Sequence, residues 1–253
     1  MSTFDDLLIQ AAEAISISQR PVIFTGAGIS KESGIPTFRD AQEGLWARYN
    51  PEELASPRAF QANPELVWNF YQHRREIQRN CRPNPAHHAL AALEHHKPAC
   101  IVITQNVDGF HQLAGNKKVI PLHGNILENR CFFDCPGVIS CEALPADGPV
   151  PPRCPQCGEK SLRPNVIWFG EFLDEALMTA SLAAVEECDL LLIVGTSGVV
   201  QPAASLAQQA IDQGKTVIEI NPEPTVYSDR VTIFLPARAA QVLPQLIPGP
   251  VEN

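Results

Sequence analysis

Short apolar runs, each ending in a polar or glycine-rich group, most limit how this chain can fold. Pro21-Val22-Ile23-Phe24-Thr25 runs into Gly26-Ala27-Gly28-Ile29-Ser30, and Ala99 to Ile103 runs into Thr104-Gln105-Asn106-Val107-Asp108. Val119-Ile120-Pro121-Leu122 leads to His123-Gly124-Asn125, Leu190 to Val194 leads to Gly195-Thr196-Ser197, and Thr216 to Ile220 leads to Asn221-Pro222. Continuous apolar runs of this length read as strands buried on both faces, as in a parallel sheet. Helix-like stretches lie among them, such as Leu173 to Glu187 and Pro202 to Gln213, the latter stopped by Gly214. The alternation predicts an α/β fold, a doubly wound parallel sheet with helices on both faces, and Arg230 to Leu235 supplies a further strand toward an edge. Ligands of such sheets collect outside the carboxyl ends of the strands. An amide pair (Gln105, Asn106), a carboxylate (Asp108) and an imidazole (His123) are therefore delivered to one side, where a reaction can be run.

Two segments break the alternation. Residues 41–82 carry aromatic and basic side chains at helical spacing, among them Trp46, Tyr71, Arg74 and Arg75. Residues 126–164 carry a cysteine cluster and the Pro/Gly-rich stretch Leu144 to Pro155. Both read as insertions forming a smaller lobe, one helical and one metal-binding, which leaves 1–40, 83–125 and 165–253 for the sheet domain. The tail after Pro244, with Pro248 and Pro250, is expected to be loose.

A net charge of −9 argues against a nucleic-acid or anionic-membrane surface as partner. Met1 to Arg20 reads as an amphipathic helix without the basic start and long apolar centre of a signal peptide, and no uncharged run reaches membrane-spanning length. A cytoplasmic monomer is the expectation. Eight cysteines in that compartment are not a disulfide framework. Cys81, Cys100 and Cys188 are scattered, but Cys131, Cys135, Cys141, Cys154 and Cys157 are clustered, which suggests metal. Cys154-Pro155-Gln156-Cys157 is a knuckle of the kind that holds structural Zn²⁺ with four thiolates. Cys131 and Cys135 supply the other pair at Cys-x3-Cys spacing, with Cys141 an available substitute for Cys135.

Gly26-Ala27-Gly28 directly after a strand lets backbone N–H groups approach a pyrophosphate. The six-residue Rossmann fingerprint is incomplete, because its third glycine position is Lys31. Ser30 and the continuation Gly34-Ile35-Pro36-Thr37-Phe38-Arg39 strengthen the reading, since such a loop can close over a nucleotide and neutralise phosphate.

Taken in order, these segments resemble the sirtuins, NAD-dependent protein-lysine deacylases. The resemblance also takes in Trp168-Phe169-Gly170-Glu171, Gly195-Thr196-Ser197 and Asn221; Asn125, the Cys-x3-Cys spacing and Ala237-Arg238-Ala239-Ala240 depart from it. It implies that NAD is consumed: the acyl oxygen attacks C1′ of the nicotinamide ribose, and nicotinamide and O-acyl-ADP-ribose are released. His123 would be the base and Asn106 a second catalytic group, with Gln105, Val107 and Asp108 around the nicotinamide ribose. Gly26 to Ser30, Thr37, Phe38, Arg39 and Trp46 would hold the cofactor, and Gly195, Thr196, Ser197, Asn221, Pro222, Glu223 and Ala239 its adenosine half. Val166, Phe169, Gly170, Glu171, Gly198 and Val199 would face an acyl-lysine peptide or protein, whose backbone pairs by β-addition.

Tyr71 and Arg74 share a helix face at i and i+3. Together with Ala55, they resemble the sirtuin branch that removes succinyl and malonyl groups, where guanidinium and phenol grip a carboxylate. Desuccinylation and demalonylation are thus expected, with deacetylation as a retained activity. An acetyl-preferring deacetylase, a mono-ADP-ribosyltransferase and a non-catalytic nucleotide- and zinc-binding scaffold are the alternatives.

Overall fold

The computed structural model describes residues 3–37, 50–144, 147–159 and 161–247. Phe38, Arg39 and Trp46 lie outside the described residues. The larger sheet holds β1 (Pro21–Thr25), β2 (Ile101–Thr104), β3 (Val119–Pro121), β7 (Leu190–Val194), β8 (Thr216–Ile220) and β9 (Ile233–Leu235). Its spatial order is β3-β2-β1-β7-β8-β9, and every pairing is parallel. The predicted strands are all present, with β9 shorter than the run Arg230 to Leu235 and at the edge.

Alternation along the strands divides the core into two layers, because successive side chains point to opposite faces. Ile23, Val102, Leu192, Val194 and Ile218 pack with residues of α1 (Phe4–Ile17), α6 (Pro85–His96) and α10 (Ala239–Leu246). Val22, Phe24, Ile103, Leu191 and Val217 pack with residues of α8 (Glu175–Glu187) and α9 (Ser205–Asp212). The sheet is therefore doubly wound, as the apolar runs predicted.

One expectation is corrected. The chain after Pro244 is not loose at once, because α10 continues through Pro244 to Leu246. Leu243, Leu246 and Ile247 are buried in the first layer. Burial of a large aliphatic side chain is worth about 1.5–3 kcal/mol, so three offset the roughly 3 kcal/mol that an interior proline costs a helix. Pro248 and Pro250 lie outside the described residues.

The smaller lobe has a three-stranded antiparallel sheet in the order β5-β4-β6, from β4 (Gly124–Cys131), β5 (Ile139–Ser140) and β6 (Leu162–Val166). Gly124, Asn125, Asn165 and Val166, which the sequence boundaries assign to the larger domain, pair in this smaller sheet. Against it lie α3 (Pro51–Leu54), α4 (Pro57–Ala62) and α5 (Pro64–Asn80), sharing a cluster that includes Leu54, Ala55, Phe60, Phe70, Tyr71, Ile126, Val166 and Trp168. Ser56 and Asn63 cap α4 and α5, and each is followed by proline at the first helical position. No helix among the described residues is long and apolar enough to cross a membrane.

Candidate active site and zinc site

The parallel register puts four strand ends in one row. Thr25 stands beside Thr104 and Val194, and Val194 beside Ile220. The strand order reverses between β1 and β7, where doubly wound sheets open their ligand crevice. There the two turns touch backbone to backbone. Gly28 N donates to Gly195 O at 2.8 Å, and a Cβ on Gly28 would stand 2.7 Å from that same oxygen. Glycine at 28 is thus a steric requirement of the contact between the two turns. Gln105 Nε2 donates to Thr196 Oγ1 (2.8 Å), and Asn221 Nδ2 to Thr196 O (2.8 Å), tying the β2, β7 and β8 ends together. Pro222 and Glu223 follow, exposed. Ala239, expected beside the adenosine, is buried at the start of α10, in the apolar layer with Ile220 and Leu235. A methyl group gains more there than on a polar rim.

Ser30 is the hub of the loop after β2. Its hydroxyl donates to Asp108 Oδ2 at 2.7 Å and accepts from Asn106 Nδ2 at 3.2 Å. A third partner is His87 Nε2 at 3.4 Å. His87 Nδ1 accepts from Asn84 N, so its proton sits on Nε2 and is directed to Ser30. Asn106 Nδ2 also donates to Gly26 O (3.1 Å), which leaves the Asn106 carbonyl oxygen for a ligand hydroxyl. Asp108 takes a second bond from Phe110 N, and burial pushes its carboxyl above the ordinary range. Gln78 Nε2 holds the Asp108 carbonyl at 3.0 Å. Ser30 was expected at the cofactor. His87 and Gln78 were not foreseen as part of the site, although Asn84-Pro85 marks a helix start that places His87 at the third helical residue.

His123 lies half-buried at the end of β3, and its Nδ1 is 2.9 Å from Gln105 O. A carbonyl only accepts, so Nδ1 carries the proton and Nε2 keeps its lone pair. Burial lowers the imidazole pKa below 6.5, against the opposing pull of that bond, so the ring is neutral at physiological pH. Gly124 turns the chain directly after it, with φ +84°, and a Cβ there would collide with Asn165 O at 2.1 Å. Behind the loop lies a cavity of about 270 Å³ lined by Asn106, Asp108, Asn125 and Glu128 among others. It shares Asn106, Asp108 and Gly109 with the loop, but none of Gly26 to Ser30 lines it.

Tyr71, Ala55 and Val166 meet in the smaller lobe's cluster, against which Val107 of the loop after β2 also packs. Tyr71 is buried and its phenol oxygen accepts from Trp168 Nε1 at 3.0 Å. Arg74 lies on the same helix, its guanidinium 5.7 Å from the Phe70 ring centroid, and burial lowers its pKa. Phe169 N donates to Ala55 O at 2.9 Å, with the Phe169 ring exposed beside Gly170. The Glu171 side chain is turned into the protein. Its carboxylate pairs with Arg163 and Arg130 and accepts from Trp168 N at 2.7 Å. Two guanidiniums in a half-buried setting hold a carboxylate more firmly than solvent does, so Glu171 supports the Phe169–Gly170 turn from behind. Gly198 is buried and Val199 exposed just beyond Ser197.

Cys131, Cys135, Cys154 and Cys157 bring their sulfurs within 4.8 Å of one another, and Cys131 and Cys157 are 3.7 Å apart. Four thiolates about 2.3 Å from a tetrahedral Zn²⁺ stand roughly 3.8 Å apart, so the cluster fits one zinc. Cys141 is excluded from it: its sulfur faces Asn129 Nδ2 at 3.4 Å.

Fold and site together define a nucleotide-binding α/β enzyme with a structural zinc lobe. Residues 26–202 match the Sir2 family model. An NAD-dependent protein deacylase of Ralstonia nicotianae is 46% identical over 238 residues, covering 94% of this chain and 95% of that protein. A Sir2 homologue solved with NAD has a TM-score of 0.87 and 43% identity, over 94% of this chain and 91% of that one. A Sir2 protein solved with a p53 peptide and NAD+ has a TM-score of 0.83 and 30% identity, over 94% and 95% of the two chains. The chain belongs to the Sir2 family.

Proposed function

We propose that this protein removes acyl groups from protein lysines with NAD as co-substrate, and that it prefers succinyl and malonyl to acetyl. The site provides what the reaction asks of protein. NAD supplies the electrophilic ribose carbon and the nicotinamide leaving group. The Asn106 carbonyl oxygen, with both its N–H donations spent inside the protein, is left to accept from a ribose hydroxyl. His123, neutral and with Nε2 unprotonated, takes the proton that the ribose must lose. Gly170 and Val199, both exposed, suit pairing with an extended peptide.

The acyl preference rests on one observation: Arg74 and Tyr71, a cation and a phenol, stand on one face of α5 in a desolvated setting, with small Ala55 in the same cluster. A partly desolvated guanidinium gains most from a carboxylate it can grip with two bonds. A bond to a charged group is worth about 1.5–3 kcal/mol, so the clamp should favour succinyl over acetyl by roughly tenfold to a hundredfold. The test is NAD-dependent turnover of matched acetyl-, malonyl- and succinyl-lysine peptides by the wild type and Arg74→Met. The variant should lose succinyl turnover far more than acetyl turnover. Equal losses on both would remove the carboxylate clamp.

A further inference from the structure

The Tyr71 phenol has an unspent proton. Its oxygen is only 3.0 Å from the Trp168 indole nitrogen, and an indole N–H can only donate. Tyr71 therefore accepts there, and its own O–H has no acceptor among the described residues. Buried donors rarely stay unmatched in folded proteins. Burial also raises the phenol pKa to about 12, so the group is a neutral donor at any physiological pH.

Trp168 cannot swing to another partner. The Arg163 guanidinium stacks 3.3 Å from its ring centroid, and Phe60 lies against it at 5.4 Å. Its backbone N–H is held by Glu171, and Arg163 is itself anchored on Val166 O and on the Glu171 carboxylate. At 1% exposure the indole is fixed on every side. We propose that Trp168 is a positioning residue for acyl recognition: its indole N–H occupies one lone pair of the Tyr71 phenol and so turns the phenol proton toward the carboxylate of the acyl group. Without that donor the hydroxyl rotates freely, and some orientations present a lone pair to the carboxylate. This inference rests on the carboxyacyl reading above.

Kinetics on succinyl- and acetyl-lysine peptides of one sequence test it, with wild type, Trp168→Phe, Tyr71→Phe and the double variant. Trp168→Phe should lower the succinyl-to-acetyl ratio of kcat/KM roughly fivefold, about the net worth of one hydrogen bond, and mainly through the succinyl KM. In the Tyr71→Phe background the same change should leave the ratio where it is. Phenylalanine leaves a void, so the measurement is repeated with benzothienylalanine at 168, which keeps the indole's shape and deletes only the N–H. Equal factors for both peptides, or an equal fall of the ratio in both backgrounds, would overturn the positioning role. Failure of the underlying reading is seen separately: a wild type that favours acetyl, or an Arg74→Met variant that loses both alike, removes the carboxyacyl pocket, and the role of Trp168 falls with it.

Discussion

Lowering the pH from 7.5 to 5 should cost this fold about 4 kcal/mol of stability through two buried histidines that flank the loop after β2. His87 and His111 are 0% and 1% exposed, with ring centroids 5.2 Å apart. His87 is tied to Ser30 and Asn84, and His111 Nε2 is 3.0 Å from Thr25 Oγ1. Burial pushes the pKa of His87 down to about 3 and that of His111 to about 4, from 6.5 in an open chain. The unfolded chain therefore takes up protons first as the pH falls. Stability is complete above 6.5 and is lost from there down toward the folded values. At pH 5 the gap to the unfolded value is about 1.5 units, and at 1.36 kcal/mol per unit each ring accounts for about 2 kcal/mol. Such a loss is a large share of the 5–15 kcal/mol typical of a domain. Glu171 and Asp189, held below the usual carboxylate range, act only at lower pH; within the window His123, lowered by burial, adds to the loss and Asp108, raised by burial, opposes it. Urea unfolding followed by circular dichroism at pH 7.5, 6.5, 5.5 and 5.0 measures the loss. His87→Gln and His111→Gln should each remove about 2 kcal/mol of it. A wild-type loss under about 1 kcal/mol, or single variants that keep the full slope, would refute the reasoning.

Two further outcomes follow from the same geometry. His123→Tyr should abolish NAD-dependent acyl removal; in the wild type the acid limb of kcat/KM should have its inflection below 6.5, because burial lowers the imidazole pKa. An inflection at or above that value would separate the limb from His123. Cys135→Ser should lose bound zinc by elemental analysis, whereas Cys141→Ser should keep one zinc per chain, since only the first sulfur stands in the four-thiol cluster.

Most of the larger domain is legible in its apolar runs. Pro21–Thr25 and Leu190–Val194 are strands over the full extent that their hydrophobicity marks, because a strand buried on both faces needs no polar position. Position after a strand end was enough to put Gln105, Asn106, Asp108 and His123 on the ligand side of the sheet. What the chain order could not express is contact across distance. Trp168 meets Tyr71 from 97 positions away, and Ser30 meets Asp108 from 78. The ion pairs of Glu171 escape the chain order in the same way, since Arg130 on β4 and Arg163 on β6 stand together through strand pairing. The burial of Ala239 in the core likewise appears only once α10 packs onto the sheet.

Sequence alone determined the class of sheet, the side on which ligands collect, the presence of a thiolate metal site and the chemical groups at the reaction centre. These follow from local rules: hydrophobic period, turn residues and ligand spacing. Tertiary structure alone decided which cysteine completes the metal site, which tautomer each histidine holds and which polar atoms remain free for a ligand. Those depend on where each donor finds its acceptor, and a hydrogen bond extends only about 3 Å. Residues far apart in the chain can satisfy that distance only after the two lobes have packed.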